Sequence, residues 1–429
     1  MEEIKLSEKK VLVIAYYFPP MGLSGVQRTL KFTKYLPDYD WTPVVLTSTP
    51  RAFYAYDDAL LDEIDPEKVF VYRTDAGSTG AESRKAPKLT KFPSYMIQKI
   101  GRALLQTIYQ PDSKIRWKKP ALELGRRIIA EHQIDVIYAT APPFTDFLIA
   151  KQLSEEFGIP YVVDYRDVWI DNPFHFYATP FHKLYSIDLE TEVLTYAQKA
   201  IVTNRHTKEL LLKRYGLIGH DDITIIPHGY DEEDFAQFRR INPNRSKFTI
   251  THSGLFQDNR TPKYFLKALS QFIAENPSAT DTIQANFLGL MRPSHEKLIK
   301  KYKLEHVVQC FGYMQHSEVV NQLMLSDVLW LMLDDTVRSP GKLYEYFGAR
   351  KPILACLPDG AMKKLALDTK ACIATYPKDV KSIKNAISHF YELWKNNMLP
   401  TPDLDYVCSF DRYKLTAILA KELSNAMSI

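Results

Sequence analysis

Cysteine is scarce and scattered: Cys310, Cys356, Cys372 and Cys408 are the four in 429 residues, and no metal-ligand spacing links them. A disulfide framework and a cysteine-held metal are therefore not expected, and the thiols should be reduced and buried. Long apolar runs are missing too, since none approaches the ~18 residues of a membrane-spanning helix. The first residues, Met-Glu-Glu-Ile-Lys-Leu-Ser-Glu, are charged and lack the apolar core of a signal peptide. The expectation is a cytoplasmic protein, soluble or peripheral on the inner face of the cell membrane. Charge of one sign is not in surplus either, because a formal net charge of +4 is too small to point to nucleic acid.

The charge that is present is uneven. Arg84, Lys85, Lys88, Lys91, Lys99, Arg102, Lys114, Arg116, Lys118 and Lys119 face only Glu82 and Asp112 across that span. Phe92, Tyr95, Met96, Ile97, Ile100, Leu104, Leu105, Ile108 and Tyr109 recur among them near helical spacing. Two readings stay open: a lip lying on an anionic bilayer that admits a lipid-linked acceptor, or a face packed on its own domain with solvated lysines.

The chain is long enough for two or three cores. Short apolar runs alternate with longer amphipathic stretches. Val11 to Phe18, Val44 to Ser48, Val69 to Thr74, Val136 to Ala141, Tyr161 to Asp164, Ala200 to Thr203 and Ile223 to Ile226 form one series. After the polar interval Arg239 to Lys247, a second runs through Phe248 to His252, Ala285 to Leu288, Val307 to Phe311, Val328 to Leu333, Ile353 to Leu357 and Cys372 to Thr375. Continuous rather than alternating runs are expected of strands covered on both faces of a parallel sheet. Two doubly wound α/β domains with a linker near 240 follow, and chemistry belongs in the loops after strands.

Three such loops stand out. Arg338-Ser-Pro-Gly-Lys-Leu-Tyr-Glu345 reads as a helix start opened by Pro340 and Gly341, with Lys351-Pro352 closing the helix. A helix N-terminus with Lys342 beside it suits phosphate, and Glu345 can accept from both hydroxyls of a ribose. An ordinary first-turn carboxylate and a solvated lysine would look the same. Thr249-Ile-Thr-His-Ser-Gly254 runs into a glycine turn that places Arg260 before a helix opened by Pro262; Arg260 is a phosphate fork or an exposed loop arginine. Gly22 and Gly25, after the first run, permit close backbone approach to a ligand or simply serve a tight turn, and the third glycine of a dinucleotide fingerprint is missing.

Five segments in order carry a resemblance: Tyr16-Tyr-Phe-Pro-Pro-Met-Gly-Leu-Ser-Gly25, Val163-Asp-Tyr-Arg-Asp-Val-Trp169, Ile225-Ile-Pro-His-Gly-Tyr-Asp231, Phe311-Gly-Tyr-Met314 with Ser326-Asp-Val328, and Pro340-Gly-Lys-Leu-Tyr-Glu345. Together they resemble the family 4 retaining glycosyltransferases of GT-B architecture, of bacterial surface-polysaccharide or glycolipid type. The fold class this implies is α/β, with two Rossmann-like doubly wound domains facing each other across a cleft. Residues 1–240 would bind the acceptor and be joined by a C-terminal helix at 413–429, while 241–412 would bind the nucleotide-sugar.

By the same resemblance Glu345 matches the second glutamate of a Glu-x7-Glu motif, the one on the ribose; the first falls at Val337. Arg260 matches the second of a basic pair on the diphosphate; the first falls near Gly254 or Leu255, and Lys342 stands in for its charge. Tyr313 and Met314 match the loop whose backbone reads the nucleobase. The catalytic candidates are Arg260, Lys342 and Asp167, the last at a strand end with Asp164, Arg166 and Trp169, where a structural ion pair between Arg166 and an aspartate is the other reading. Gly22, Gly25, Gly254, Gly341 and Leu343 complete the backbone set for the nucleotide-sugar, with Gly25 approaching from the facing domain. No metal and no further cofactor are expected. The implied partners are a nucleotide-sugar donor and a glycan or lipid-linked acceptor, with retention of configuration. A sugar-nucleotide epimerase or phosphorylase of the same fold lacks a positive motif. A non-catalytic scaffold of a polysaccharide assembly complex stays open, on the missing glutamate and arginine.

Overall fold

The structure, a computed structural model, describes residues 9–22, 24–49, 56–74, 106–170, 172, 175–239, 246–256 and 260–428. Two parallel sheets dominate it. The first runs in the order β3-β2-β1-β4-β5-β6-β7, built from Lys9–Ile14 (β1), Trp41–Ser48 (β2), Phe70–Thr74 (β3), Val136–Ala141 (β4), Tyr161–Tyr165 (β5), Lys199–Val202 (β6) and Ile223–Ile225 (β7). The second runs β10-β9-β8-β11-β12-β13, from Phe248–Ser253 (β8), Ile283–Leu288 (β9), Val308–Gly312 (β10), Val328–Met332 (β11), Ile353–Cys356 (β12) and Cys372–Thr375 (β13). In both, the chain winds outward from the first strand and then reverses, so the order switches between β1 and β4 and again between β8 and β11. The crevice outside the carboxyl ends of strands at such a switch is where this architecture binds ligands.

The continuous apolar runs are explained by burial on both faces. Val11, Leu12, Val13 and Ile14 are all essentially inaccessible, as are Val136 and Ile137 beside them in register. β1 is shorter than the run Val11 to Phe18, because Ala15 makes the last sheet-like hydrogen bond, to Leu46 O at 3.1 Å, and the chain turns away before Pro19 and Pro20.

The described residues divide into two compact units: one runs up to His228 and takes back Arg412 onward, the other is Gly229–Asp411. The division lies ahead of the polar interval near 240. Tyr230 and Phe235 are apolar anchors of the second core, where a Cβ on Gly348 would come within 2.5 Å of the Phe235 ring. Tyr230 also donates its amide to Phe410 O at 3.2 Å, pairing the two ends of this unit. The helix Arg412–Ala426 buries Leu415, Leu419 and Leu423 against Val11 and Val13 of the first core.

Candidate functional site

At the switch point of the second sheet, β8 leads into Ser253 and Gly254, and β11 leads into the loop before the helix Gly341–Ala349. The helix is pinned to the sheet by Tyr346, whose hydroxyl donates to Trp330 O on β11 at 3.1 Å and accepts from the Ser253 amide at 3.0 Å. Its N-terminus is thereby held over the end of β8. Pro340 offers no side-chain cap. The expected backbone contact at Leu343 is not available: its amide is drawn back to Pro340 O at 3.2 Å and Leu343 itself is fully buried, so Gly341 and Lys342 carry the open end.

The loop before this helix is braced from inside. Asp335 accepts from the amides of Val337 at 3.0 Å and Arg338 at 2.9 Å and from Arg338 Nε at 2.7 Å, while Arg338 Nη2 lies 3.1 Å from Asp334. Burial opposes the charge on Asp335, but the hydrogen bonds from Arg338 outweigh it and hold the carboxyl below its ordinary value. Where the resemblance places a first glutamate, the chain has Val337 inside this turn.

Lys342 and Arg260 converge. Gly254 has φ +98°, and a Cβ placed there would stand 2.9 Å from Lys342 Nζ, so the lysine stem lies across the glycine. Burial, together with the positive charges of Arg260 and Arg338, pushes the Lys342 ammonium down to about 7, with Glu345 working in the opposite direction. Arg260 is 9% exposed, which removes the reading of a solvated loop arginine. Two cations drawn together in a partly dehydrated corner are unfavourable without a counter-anion.

Glycines line the rim of the same sheet edge. Gly254 donates to Leu288 O at 2.7 Å and Gly289 to Gly312 O at 2.8 Å, and Gly289 and Gly312 also have positive φ, at +126° and +75°. A Cβ on Gly289 would sit 3.2 Å from the Gly254 backbone. Three neighbouring strands thus end in backbone without side chains, which permits close approach of a flat ligand. Tyr313, exposed, and Met314, partly buried, follow directly on Gly312. Glu345 is partly exposed one turn into the helix that carries Lys342.

Three residues here escaped the sequence reading. Asp335 and Tyr346 look like a loop acid and a core aromatic until their partners are known. His252 looked like a polar residue in a strand, and it is buried at the carboxyl end of β8, with Nδ1 2.9 Å from Trp330 O.

In the first unit the charged residues at the end of β5 do different work from that expected. Asp164 is fully buried and accepts from Arg28 Nε and Nη2 at 2.8 Å each, from Tyr138 OH at 2.7 Å and from Thr140 Oγ1 at 3.0 Å. Arg28 donates onward to Ile226 O and Pro227 O. Asp164 is thus in an ion pair with Arg28. Arg166 instead clasps the carbonyls of Gly25 and Pro142, tying the loops after β1 and β4 together across that sheet's switch point. A Cβ on Gly25 would meet the Arg166 guanidinium at an ordinary 3.5 Å, so clearance from Arg166 does not demand glycine there. Gly22 lies in the loop after β1, just ahead of the helix Ser24–Tyr35 whose first turn holds Gly25, and Asp167, partly exposed, is the carboxylate next along from Arg166. Trp169 is stacked on Phe144 at 4.6 Å and belongs to the core.

Of the basic stretch, the residues from Arg84 to Arg102 and the apolar ones from Phe92 to Leu105 lie outside the described residues. Lys114 lies over the Tyr16 ring at 5.0 Å and Arg116 over that of Tyr109 at 4.9 Å. No helix among the described residues is long and apolar enough to cross a membrane.

Residues 68–234 match the model of Glycosyltransferase Family 4. No curated protein matches the sequence. Similar solved structures include a sucrose-phosphate synthase from Thermosynechococcus elongatus (TM-score 0.65, 15% identity, 97% of this chain and 98% of that one). A glycosyltransferase from Rickettsia africae is similar at TM-score 0.60 and 15% identity, over 98% and 96% of the two chains. HepE of Anabaena, solved in complex with UDP and glucose, is similar at TM-score 0.64 and 15% identity, over 97% of this chain and all of that one (100%). At such identity the likeness shows the fold, which is GT-B.

Proposed function

We propose that this chain, which carries a Glycosyltransferase Family 4 domain at residues 68–234, moves a hexose from a nucleoside-diphosphate sugar to a glycan or lipid-linked acceptor with retention of configuration, in cell-surface polysaccharide assembly. The observation that carries the reading is the Lys342 ammonium lying across Gly254 and feeling the Arg260 charge, at an uncapped helix N-terminus on the sheet's switch point. HepE, solved with UDP and glucose, lends support by its similar fold.

In this reading the diphosphate lies against Lys342, Arg260 and the Gly341 amide. The ribose hydroxyls donate to Glu345, and the base rests at the backbone of Tyr313 and Met314. The glycine rim at Gly254 lets the phosphates come close. As the bond from the anomeric carbon to the phosphate oxygen breaks, negative charge grows on the leaving diphosphate. Fixed cations stabilise that charge more than they stabilise the intact donor, which lowers the barrier. The acceptor oxygen forms the new bond to the anomeric carbon and passes its proton to the departing diphosphate oxygen. The acceptor belongs to the first unit, near Asp167 and the loop of Gly22 and Gly25. Two cations and a helix end supply the charge a divalent metal would bring, so turnover should survive a chelator.

Membrane attachment is part of the same proposal. Ile108 (69% exposed) and Phe181 (79% exposed) stand out from the first unit with Phe176, Leu184 and Tyr185, and the hydrogen bonds Phe176 N to Gln106 Oε1 and Ser186 Oγ to Gln110 Oε1 hold these segments together. Exposed apolar groups beside a basic stretch suit the face of an anionic bilayer.

The deciding experiment is release of nucleoside diphosphate from UDP-, GDP- and dTDP-hexoses in the presence of membrane lipid extracts. Sugar-dependent release supports transfer. No release, with thermal stabilisation by a nucleoside diphosphate retained, would favour the scaffold reading; at 100 times its dissociation constant a ligand adds about 2.7 kcal/mol.

A further inference from the structure

His252 is 2% exposed and sits at the carboxyl end of β8, two residues before Gly254. Its ring is stacked on Phe256, 4.4 Å away at an interplanar angle of 13°, with Trp330 on a second side at 4.9 Å. The Trp330 carbonyl 2.9 Å from Nδ1 can only accept, so Nδ1 carries the proton and Nε2 presents a lone pair. That Nε2 is buried and has no hydrogen-bond partner. A buried acceptor left unmatched is costly, which makes an unfilled one informative.

The charged groups bearing on this ring are the ammonium of Lys342 and, after it, the guanidinium of Arg260. Burial first, and then these two charges, keep the imidazole well below its ordinary value, so it is a neutral acceptor at physiological pH. Around Lys342 itself stand Glu345 on its own helix, Arg338 in the preceding loop with its partners Asp334 and Asp335, Arg260 ahead of the helix Lys263–Glu275, and His252 on β8. Among these, His252 offers Lys342 a neutral acceptor from the floor of the site. The carboxylates of Asp334 and Asp335 are engaged by Arg338.

We infer that His252 is a positioning residue whose orphaned Nε2 accepts a hydrogen bond from the Lys342 ammonium when a nucleotide binds, holding it over Gly254 and aimed at the diphosphate. This rests on the reading of Lys342 as a phosphate ligand and deepens it. The stem of Lys342 has four rotatable bonds, and Gly254 gives it room without direction. A fixed acceptor on one side of the ammonium leaves its other two N–H groups for phosphate oxygens. The acceptor also favours the charged lysine, the form that binds an anion.

The test compares wild type, His252→Gln, His252→Asn and His252→Phe by calorimetry with UDP and GDP from about pH 6 to 9. Gln reaches the Nε2 position with a carbonyl oxygen. Asn reaches only the Nδ1 position and can keep the contact with Trp330 O. Phe keeps the ring stack and neither polar contact. The expected result is affinity within about threefold of wild type for Gln and a loss of about tenfold or more for Asn and Phe. In the last two, affinity should also begin to fall at a lower pH than in wild type, because the charged lysine has lost its acceptor. If Phe fails to fold, Asn against Gln still decides, since they differ in reach. Asn binding like wild type with the same pH profile overturns the inference and leaves the nucleotide site standing. Failure of wild type to bind any nucleoside diphosphate overturns the site reading itself, and the inference with it.

Discussion

Replacing Lys342 with methionine should make the empty protein more stable and the enzyme far slower. The side chain keeps its length and loses its charge. In the folded protein the ammonium, ordinarily at 10.5, is pushed down to about 7 by burial and by the neighbouring arginines. At about 1.36 kcal/mol per pKa unit the charged form is disfavoured by at most roughly 4–5 kcal/mol, and partial exposure to solvent screens this to about 2 kcal/mol. Because the folded value lies below the unfolded one, the unfolded chain binds more protons between pH ~7 and ~10.5, so wild-type stability rises with pH across that window. Below it both states are protonated and the penalty is complete. Lys342→Met should therefore gain about 2 kcal/mol at pH 7 and below, fading to nothing by pH ~10.5. For a domain of this size that is a rise in Tm of roughly 4–8 °C at neutral pH. Turnover should fall on the order of 100-fold or more, as for loss of one oxyanion donor. Calorimetric melts without nucleotide at several pH values, paired with nucleoside diphosphate release, check both halves. A variant no more stable than wild type at pH 7, or one with wild-type turnover, would refute the placement of this charge.

Gly254→Ala must hold a side chain at positive φ, costing roughly 1–2 kcal/mol, and its methyl displaces Lys342 Nζ; turnover should drop at least about tenfold, whereas Gly341→Ala, with open space at its Cβ, should melt like wild type. Glu345→Ala should weaken nucleoside diphosphate binding by about 1.5–3 kcal/mol for each hydroxyl bond lost, and calorimetry should find that variant indifferent to removal of the ribose hydroxyls from the ligand. Asp164→Ala leaves the Arg28 guanidinium buried without its carboxylate and should lose about 3–5 kcal/mol in urea denaturation; a variant of wild-type stability would refute this structural role. Flotation should show binding to anionic liposomes that weakens with salt, each basic residue near the surface adding ~1 kcal/mol, and equal behaviour on neutral liposomes would remove the membrane proposal alone.

Local pattern made the second unit's candidate site legible. A strand, a short loop and a proline-opened helix are contiguous in sequence, so Gly341, Lys342 and Glu345 could be placed on one helix start before any contact was known. The two parallel sheets were legible for the same reason, each strand being a short apolar run. Relations across distance stayed hidden. Arg28 and Asp164 are 136 residues apart, and no local signal pairs them, so Arg166 was the natural candidate partner. His252 lies in an apolar strand, where a single histidine reads as a satisfied core residue; only its orphaned Nε2 distinguishes it. The domain boundary was read from polarity near 240, while packing of Tyr230 and Phe235 sets it earlier. Single glycines at 289 and 312 carry no sequence signal either, since their need for positive φ comes from the neighbouring strand.

The pairing of Tyr230 with Phe410 and Asp411 bears on how this chain could be taken apart. It makes Gly229–Asp411 a closed excursion from a polypeptide that leaves one α/β unit at His228 and returns to it at Arg412. The excursion begins and ends at one place, so joining His228 to Arg412 by a few residues would leave every strand of the first sheet and its covering helix in chain order. The excised piece would in turn keep β8 to β13 and all of Gly254, Arg260, Lys342 and Glu345. The proposed donor site would thus be carried as a cassette, exchangeable at two adjacent chain positions without cutting a sheet.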